Sequence, residues 1–235
     1  MKQPIRLGIL TAAALAVAIG TAPARAALIS TDLAAGGDGL LILDQGTSLE
    51  WLDLTETTGL SPNAVTAGLG AETLTTNAGA SLLGFRYATQ SEIETLWTHA
   101  DPAWNGVDGQ IAAHFDAAFD IIGLMGCTTT ASTCPTLDLD PFEEIGHLGI
   151  YPSGSVFNVS AVTIEGRDTG DLGRFAIQQI TNMDRADSSP SRGHYLIRDA
   201  VITPLPEPTP GALMALALAV FGLMRLRRGA SPNHA

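Results

Sequence analysis

The chain has 235 residues, of which 46% are hydrophobic and 15% are charged. Residues 27–207 hold all 24 acidic residues but only six arginines and no lysine, which gives this segment a formal charge of −18. A segment this acidic repels the phosphate backbone of nucleic acids, which argues against nucleic acid as a partner. It also argues against a polytopic membrane protein.

The N-terminus has the three zones of a secretory signal peptide. Two basic residues open the chain, residues 7–19 are largely apolar, and residues 24–26 read Ala-Arg-Ala. This order predicts export across the inner membrane and cleavage by signal peptidase after Ala26. A retained membrane anchor is the alternative, but the apolar run is short for a bilayer about 30 Å thick.

The next 177 residues, 27–203, show no repeat and no low-complexity tract, so we expect one domain there. Short strands are predicted at 40–43 and 49–54, around a turn at 44–47. Residues 61–80 are rich in Gly, Thr, Ala and Asn, which favours a loop with some helix. Residues 85–87 resemble a brief strand.

Two helices are predicted next. Thr89 and Glu92 form a capping box, and apolar residues follow it at helical spacing. A second helix is expected over 110–125, where apolar residues form one stripe and Gly126 suits the position after the last turn. Strands are predicted at 156–164, 174–180 and 194–202, where β-branched and aromatic residues are frequent. Helices in the first half and strands at both ends indicate an α+β fold.

Cys127 and Cys134 are the only cysteines. In an exported chain we expect them to form a disulfide that closes a surface loop. A loop this small adds no more than about 3 kcal/mol to the free energy of unfolding. The alternative, a redox or metal pair, lacks the C-x-x-C spacing.

The densest run of acids covers residues 138–144. Asp138, Asp140 and Glu143 supply the hard oxygen ligands that Ca²⁺ prefers, and extracellular calcium tolerates a weak site. The alternative is that these acids only solvate a loop. Glu144 and His147 are three apart, which would bring two metal ligands together on a helix, although Gly146 weakens such a helix.

Other enzyme signatures are missing from the sequence. No H-E-x-x-H, G-x-S-x-G, P-loop or dinucleotide-binding pattern occurs. Acids are too numerous for a glycosidase pair to be picked out. Trp104 lies in a turn-like segment, where an aromatic ring either stacks on a sugar or anchors the loop by packing.

The C-terminal segment, 204–235, has three successive parts. A proline-rich stretch is followed by an apolar run at 211–224 and then by a basic cluster. This order resembles the PEP-CTERM sorting signal of Gram-negative bacteria. The matching residues are Pro206, Glu207, Pro208, Arg225, Arg227 and Arg228.

The resemblance implies transient insertion in the inner membrane through the apolar helix, with the domain outside. A membrane exosortase would then cleave the tail and release the protein to the cell surface or the exopolysaccharide matrix of a biofilm.

Three short motifs between the two ends resemble motifs that occur in the same order in many PEP-CTERM proteins of unassigned function. They read LEWLDL at 49–54, GFRYAT at 84–89 and HYLIRD at 194–199. The same outline resembles bacterial C-type-lectin-like modules, which implies a single domain of that fold. A fold does not establish a function.

These observations together predict a non-catalytic protein of the cell surface or matrix, with a binding or structural role directed at exopolysaccharide. The alternative is a secreted hydrolase whose carboxylates act on polysaccharide. Several carboxylates that converge in one pocket with an aromatic floor would favour the hydrolase.

Overall fold

The structure is a computed structural model that describes residues 28–129, 144–165 and 170–201. The strands in these ranges are β1 (Leu28–Thr31), β2 (Leu41–Asp44), β3 (Leu49–Leu52), β4 (Arg86–Tyr87), β5 (Gly109–Ile111), β6 (Glu144–Ser153), β7 (Val156–Glu165), β8 (Gly173–Met183), β9 (Gly193–His194) and β10 (Leu196–Asp199). The helices are α1 (Pro62–Gly70), α2 (Gln90–Ala100) and α3 (Phe115–Met125), with 3-10 turns at Leu54–Thr57 and Ala112–His114.

The strands form two five-stranded sheets. The first has the order β1-β2-β3-β10-β4 and is antiparallel throughout. The second has the order β5-β8-β7-β6-β9, and only its β6–β9 pair is parallel. Helices packed on largely antiparallel sheets make this an α+β domain, as the sequence predicts.

The helix α2 begins where its capping box predicts. The Thr89 side chain accepts a hydrogen bond from the Glu92 backbone, and the Glu92 carboxylate accepts one from the Thr89 backbone. Both bonds satisfy amides that the first turn of a helix leaves without intrahelical partners.

The helix α3 starts five residues later than the predicted 110–125. Gln110 and Ile111 belong instead to β5, where they pair with Arg174 and Gly173 of β8. A 3-10 turn follows, and α3 then runs to Met125. Pairing with a distant strand therefore overrode the local helical pattern.

Three strands, β1, β5 and β6, were not predicted. In β6, Gly146 and Gly149 lower the strand propensity, yet the strand pairs with β7 along its whole length. Both glycines have a packing reason. A Cβ at Gly146 would collide with the backbone of β7, and one at Gly149 would enter the ring of Tyr195.

The main core lies where α2 and α3 pack against β7 and β8 of the second sheet. Trp97 of α2 meets Phe175 of β8 edge-on, with 5.7 Å between the ring centroids. Trp51 of β3 and Tyr195 form a similar edge-on pair at 6.3 Å. Among the described residues, no helix is long and apolar enough to cross a membrane.

Candidate functional site

A groove of about 460 Å³ lies between the C-terminal end of α2 and one face of α3. Its volume is in the range of pockets that bind small ligands. The groove is lined by Leu28, His99, Ala100, Asp101, Ala113, Asp116, Ala117, Asp120, Ile121 and Leu124.

The α3 side of the groove follows from helical spacing. Its residues recur three and four positions apart, so they share one face of the helix. Asp116 and Asp120 lie one turn apart and are both exposed. Ala113 and Ala117 are small, which leaves room beside the two carboxylates. In the first turn, Asp116 also interacts favourably with the helix dipole.

The α2 side carries a histidine held by a buried carboxylate. Nδ1 of His99 lies 2.9 Å from each carboxylate oxygen of Asp44, which is fully buried at the end of β2. Asp44 also accepts hydrogen bonds from the Gly46 amide and the Thr47 hydroxyl. The turn that follows β2 therefore fixes the carboxylate, and the carboxylate orients the imidazole.

This pairing determines which nitrogen of His99 is available to a ligand. Carboxylate oxygens accept hydrogen bonds, so Nδ1 carries the hydrogen in this pair. Nε2 is the nitrogen left for the groove. The side chain of His99 is 23% exposed, whereas that of Asp44 is 0% exposed. In the neutral ring Nε2 is an acceptor.

A second histidine–carboxylate pair includes the lining residue Asp101. Nδ1 of His114 donates to Asp101, whose other oxygen accepts the Ala103 amide at 2.9 Å. Both side chains of the pair are buried, and the His114 ring packs edge-on against Phe175. This pair ties the loop after α2 to the start of α3, which is a structural role.

The lining sets the chemistry that the groove offers. Among the described residues, its polar side chains are three carboxylates and one histidine, with no hydroxyl, thiol, lysine or arginine. The carboxylates supply negative charge and hydrogen-bond acceptors.

The structure does not favour the sugar-stacking interpretation of Trp104. Its side chain is 5% exposed and meets Trp97 edge-on at 5.4 Å between centroids. The ring centroid of Phe175 lies 6.2 Å from that of Trp104. Trp104 is thus a packed loop anchor, and it is not part of the groove lining.

The metal pair considered at Glu144 and His147 is wrong as a helix-face arrangement. Both residues lie on the strand β6, where a spacing of three does not put two residues on the same face. His147 is fully buried in the core. Within residues 28–129, 144–165 and 170–201, no cluster of three or more His, Cys, Asp or Glu is placed to hold a metal.

Several predicted residues lie outside the described ranges, so their roles stay predictions. Cys127 is described, two residues beyond the end of α3, whereas its predicted partner is not. The candidate calcium ligands and both targeting segments also lie outside the described ranges. The residues concerned are Cys134, Asp138, Asp140, Glu143, Pro206, Glu207, Pro208, Arg225, Arg227 and Arg228.

A third buried histidine is fully paired. Nε2 of His194 donates to the Leu60 carbonyl at 2.9 Å, so Nδ1 accepts from the Tyr87 hydroxyl at 2.7 Å. Burial lowers the pKa of His194 to about 4 and raises the pKa of Tyr87. The neutral ring thus links three segments of the core, and neither nitrogen is left for chemistry.

Sequence reasoning missed the residues that form the groove. Asp116 and Asp120 had a detectable signal, because two acids four residues apart lie on one face of a predicted helix. His99 lies in the last turn of α2. Its partner Asp44 is 55 residues away, and no local pattern links the two.

No protein-family model matches the chain, and neither does any curated protein or solved structure.

Proposed function

We propose that the chain is an exported protein of the cell surface or exopolysaccharide matrix, with a non-catalytic binding role. Its ligand site is the acidic groove between α2 and α3. The observation that carries this proposal is the convergence of Asp116, Asp120 and the Asp44-oriented His99 on one concave surface.

Export and sorting are supported by the two ends of the sequence. The tripartite N-terminus is typical of a signal peptide. The Pro-Glu-Pro motif, apolar run and arginine cluster resemble an exosortase sorting signal. The partners of this route are signal peptidase and an exosortase, with transient insertion in the inner membrane before release.

A C-type-lectin-like domain is supported by where the three resemblance motifs lie. The first contains β3, the second leads through β4 into α2, and the third contains β10. In the first sheet these are three adjacent strands, since β10 pairs with β3 on one side and β4 on the other. Ile197 lies opposite both Trp51 and Arg86. Motifs far apart in sequence thus form one structural unit.

The rival function is a carboxylate-dependent hydrolase that acts on polysaccharide. The same convergence of acids favours it, because glycoside hydrolysis uses two carboxyl groups. Between the polar residues, however, the described lining of the groove is aliphatic, without the aromatic surface expected of a polysaccharide-cleaving site. Of the three carboxylates, Asp101 is already held by His114.

The test compares binding and cleavage of the host's own exopolysaccharide. The exported protein would be recovered from its host as wild type, as Asp116→Asn/Asp120→Asn, and as the control Glu72→Gln/Asp199→Asn. The control removes two exposed acids away from the groove, so both variants have the same net charge.

We expect the groove variant to bind at least tenfold more weakly, the control to match wild type, and no new reducing ends to appear. Equal binding by both variants would overturn the assignment of the groove. Reducing ends that the wild type releases and the groove variant does not would establish the hydrolase instead.

A further inference from the structure

We propose that the ligand of the groove carries primary ammonium groups on a carbon skeleton, as in an amino sugar whose nitrogen is not acetylated. This inference rests on the proposed binding function and names its ligand class. It follows from the matching of charge, hydrogen-bond direction and shape in the groove.

The first argument is the direction of the hydrogen bonds. Asp116 and Asp120 present carboxylates, which only accept. His99 has its Nδ1–H occupied by Asp44. A ligand that satisfies the two neighbouring carboxylates must be rich in donors. A primary ammonium group has three N–H donors and no acceptor.

The second argument is charge. The segment that contains the groove has a formal charge of −18, and the described lining residues include no lysine or arginine to offset the carboxylates. An anionic polysaccharide, such as one rich in uronic acids, would be repelled from this surface. A polymer or small molecule with ammonium groups would be attracted and steered to it.

The third argument distinguishes primary from quaternary ammonium. Quaternary ammonium groups cannot donate hydrogen bonds, and proteins recognise them with aromatic cages. In the part of the chain that the structure describes, no aromatic side chain other than the histidine lines the groove. Between the polar groups the lining is aliphatic, with Ala100, Ala117 and Ile121 among its residues. These side chains can cover the C–H surface of a sugar ring or an alkyl chain.

Calorimetry measures the affinity of four probes for the protein in the form that its host exports and processes. They are a glucosamine oligomer, the matching N-acetylglucosamine oligomer, a linear alkyl diamine and choline. Wild type is compared with Asp116→Asn/Asp120→Asn and with Glu72→Gln/Asp199→Asn. Thermal melts of all three proteins verify that each is folded.

We expect the glucosamine oligomer to bind wild type and the control equally, and to bind the groove variant at least tenfold more weakly. A tenfold loss corresponds to about 1.4 kcal/mol. Raising the salt concentration should weaken binding, because part of the attraction is screened. The N-acetylated oligomer and choline should bind at least tenfold more weakly than the glucosamine oligomer.

The diamine arm separates the two sources of the ammonium group. Tighter binding of the glucosamine oligomer supports an amino-polysaccharide, whereas equal or tighter binding of the diamine supports a small amine, and both support ammonium recognition. Equal affinity for the acetylated oligomer would overturn the inference, as would an unchanged affinity in the groove variant.

These failures are distinguishable from failure of the proposed function. If the host exopolysaccharide still binds through the groove while neither amine probe binds, only the ligand class is wrong. If the exopolysaccharide binds equally to wild type and the groove variant, the groove assignment itself fails.

Discussion

Acid should destabilise this protein through His147, and replacing that residue should remove a defined part of the effect. The side chain is fully buried on β6, and neither ring nitrogen has a hydrogen-bond partner among the described residues. The Tyr195 ring meets it edge-on at 6.1 Å between centroids. Burial lowers the pKa of His147 to about 3, because the core does not solvate a charged imidazole.

The sign of the effect follows from proton binding. In the unfolded chain the pKa of a histidine is about 6.5. Between pH 6.5 and 3 the unfolded state therefore binds a proton that the folded state excludes, and the free energy of unfolding falls as the pH falls. Above pH 6.5 the ring is neutral in both states, so His147 causes no loss in the free energy of unfolding there. From pH 7.5 to pH 5 the loss from this one residue is about 2 kcal/mol.

For a domain of this size, about 2 kcal/mol corresponds to a fall of roughly 4–8 °C in melting temperature. His194, with its pKa lowered to about 4, adds a similar loss of its own. The window from pH 7.5 to pH 5 suits the measurement because most carboxyl groups titrate below it.

The assay is thermal unfolding at pH 7.5 and pH 5.0 of wild type, His147→Leu and the control Ile150→Leu. Leucine has a volume close to that of histidine and does not titrate. The control changes another fully buried residue of β6 that carries no charge. We expect acid to lower the melting temperature of His147→Leu by about 4–8 °C less than that of wild type or the control. An equal fall in all three proteins would refute the reasoning.

Three further outcomes are expected. Gly149→Ala should lower the free energy of unfolding by about 1–3 kcal/mol in urea, because the new Cβ enters the ring of the buried Tyr195; an unchanged midpoint would show that the ring can move aside. Thr89→Ala should lower the free energy of unfolding by about 1 kcal/mol because it removes the helix cap, while Thr89→Ser should retain most of that stability; equal loss in both variants would contradict a capping role. Cys127 and Cys134 should be found joined in non-reducing peptide maps of the exported protein, whereas alkylation of both thiols would disprove the disulfide.

The features predicted correctly from the sequence depend on neighbours along the chain. The capping box of α2 is the clearest case, since Thr89 and Glu92 are only three residues apart and both of its hydrogen bonds form. The turn at 44–47 is similar, because Asp44 accepts from Gly46 and Thr47 within it. Such contacts form as soon as the local backbone does, so residue type and spacing are enough to predict them.

The errors arose where a distant segment determined the local structure. Gln110 fits the helical pattern but pairs with Arg174, which is far along the chain. Gly149 weakens a strand in isolation, yet β6 forms there because β7 pairs with it and Tyr195 packs on the glycine. Trp104 shows no packing signal in its own segment, and only the fold brings it to Phe175. Tertiary pairing routinely overrides such propensities.

In the candidate site, too, some features follow from residue spacing and others only from tertiary packing. Residue spacing alone puts Asp116 and Asp120 on one face of α3, because the helix returns to the same side about every 3.6 residues. Residue order likewise indicates the export and sorting segments, since their basic, apolar and proline-rich parts are contiguous. The tertiary structure alone brings Asp44 of β2 to His99 of α2 and sets His99 beside α3. The reason is that a groove is formed by elements that meet only when the hydrophobic core packs, and sequence separation carries no information about that meeting.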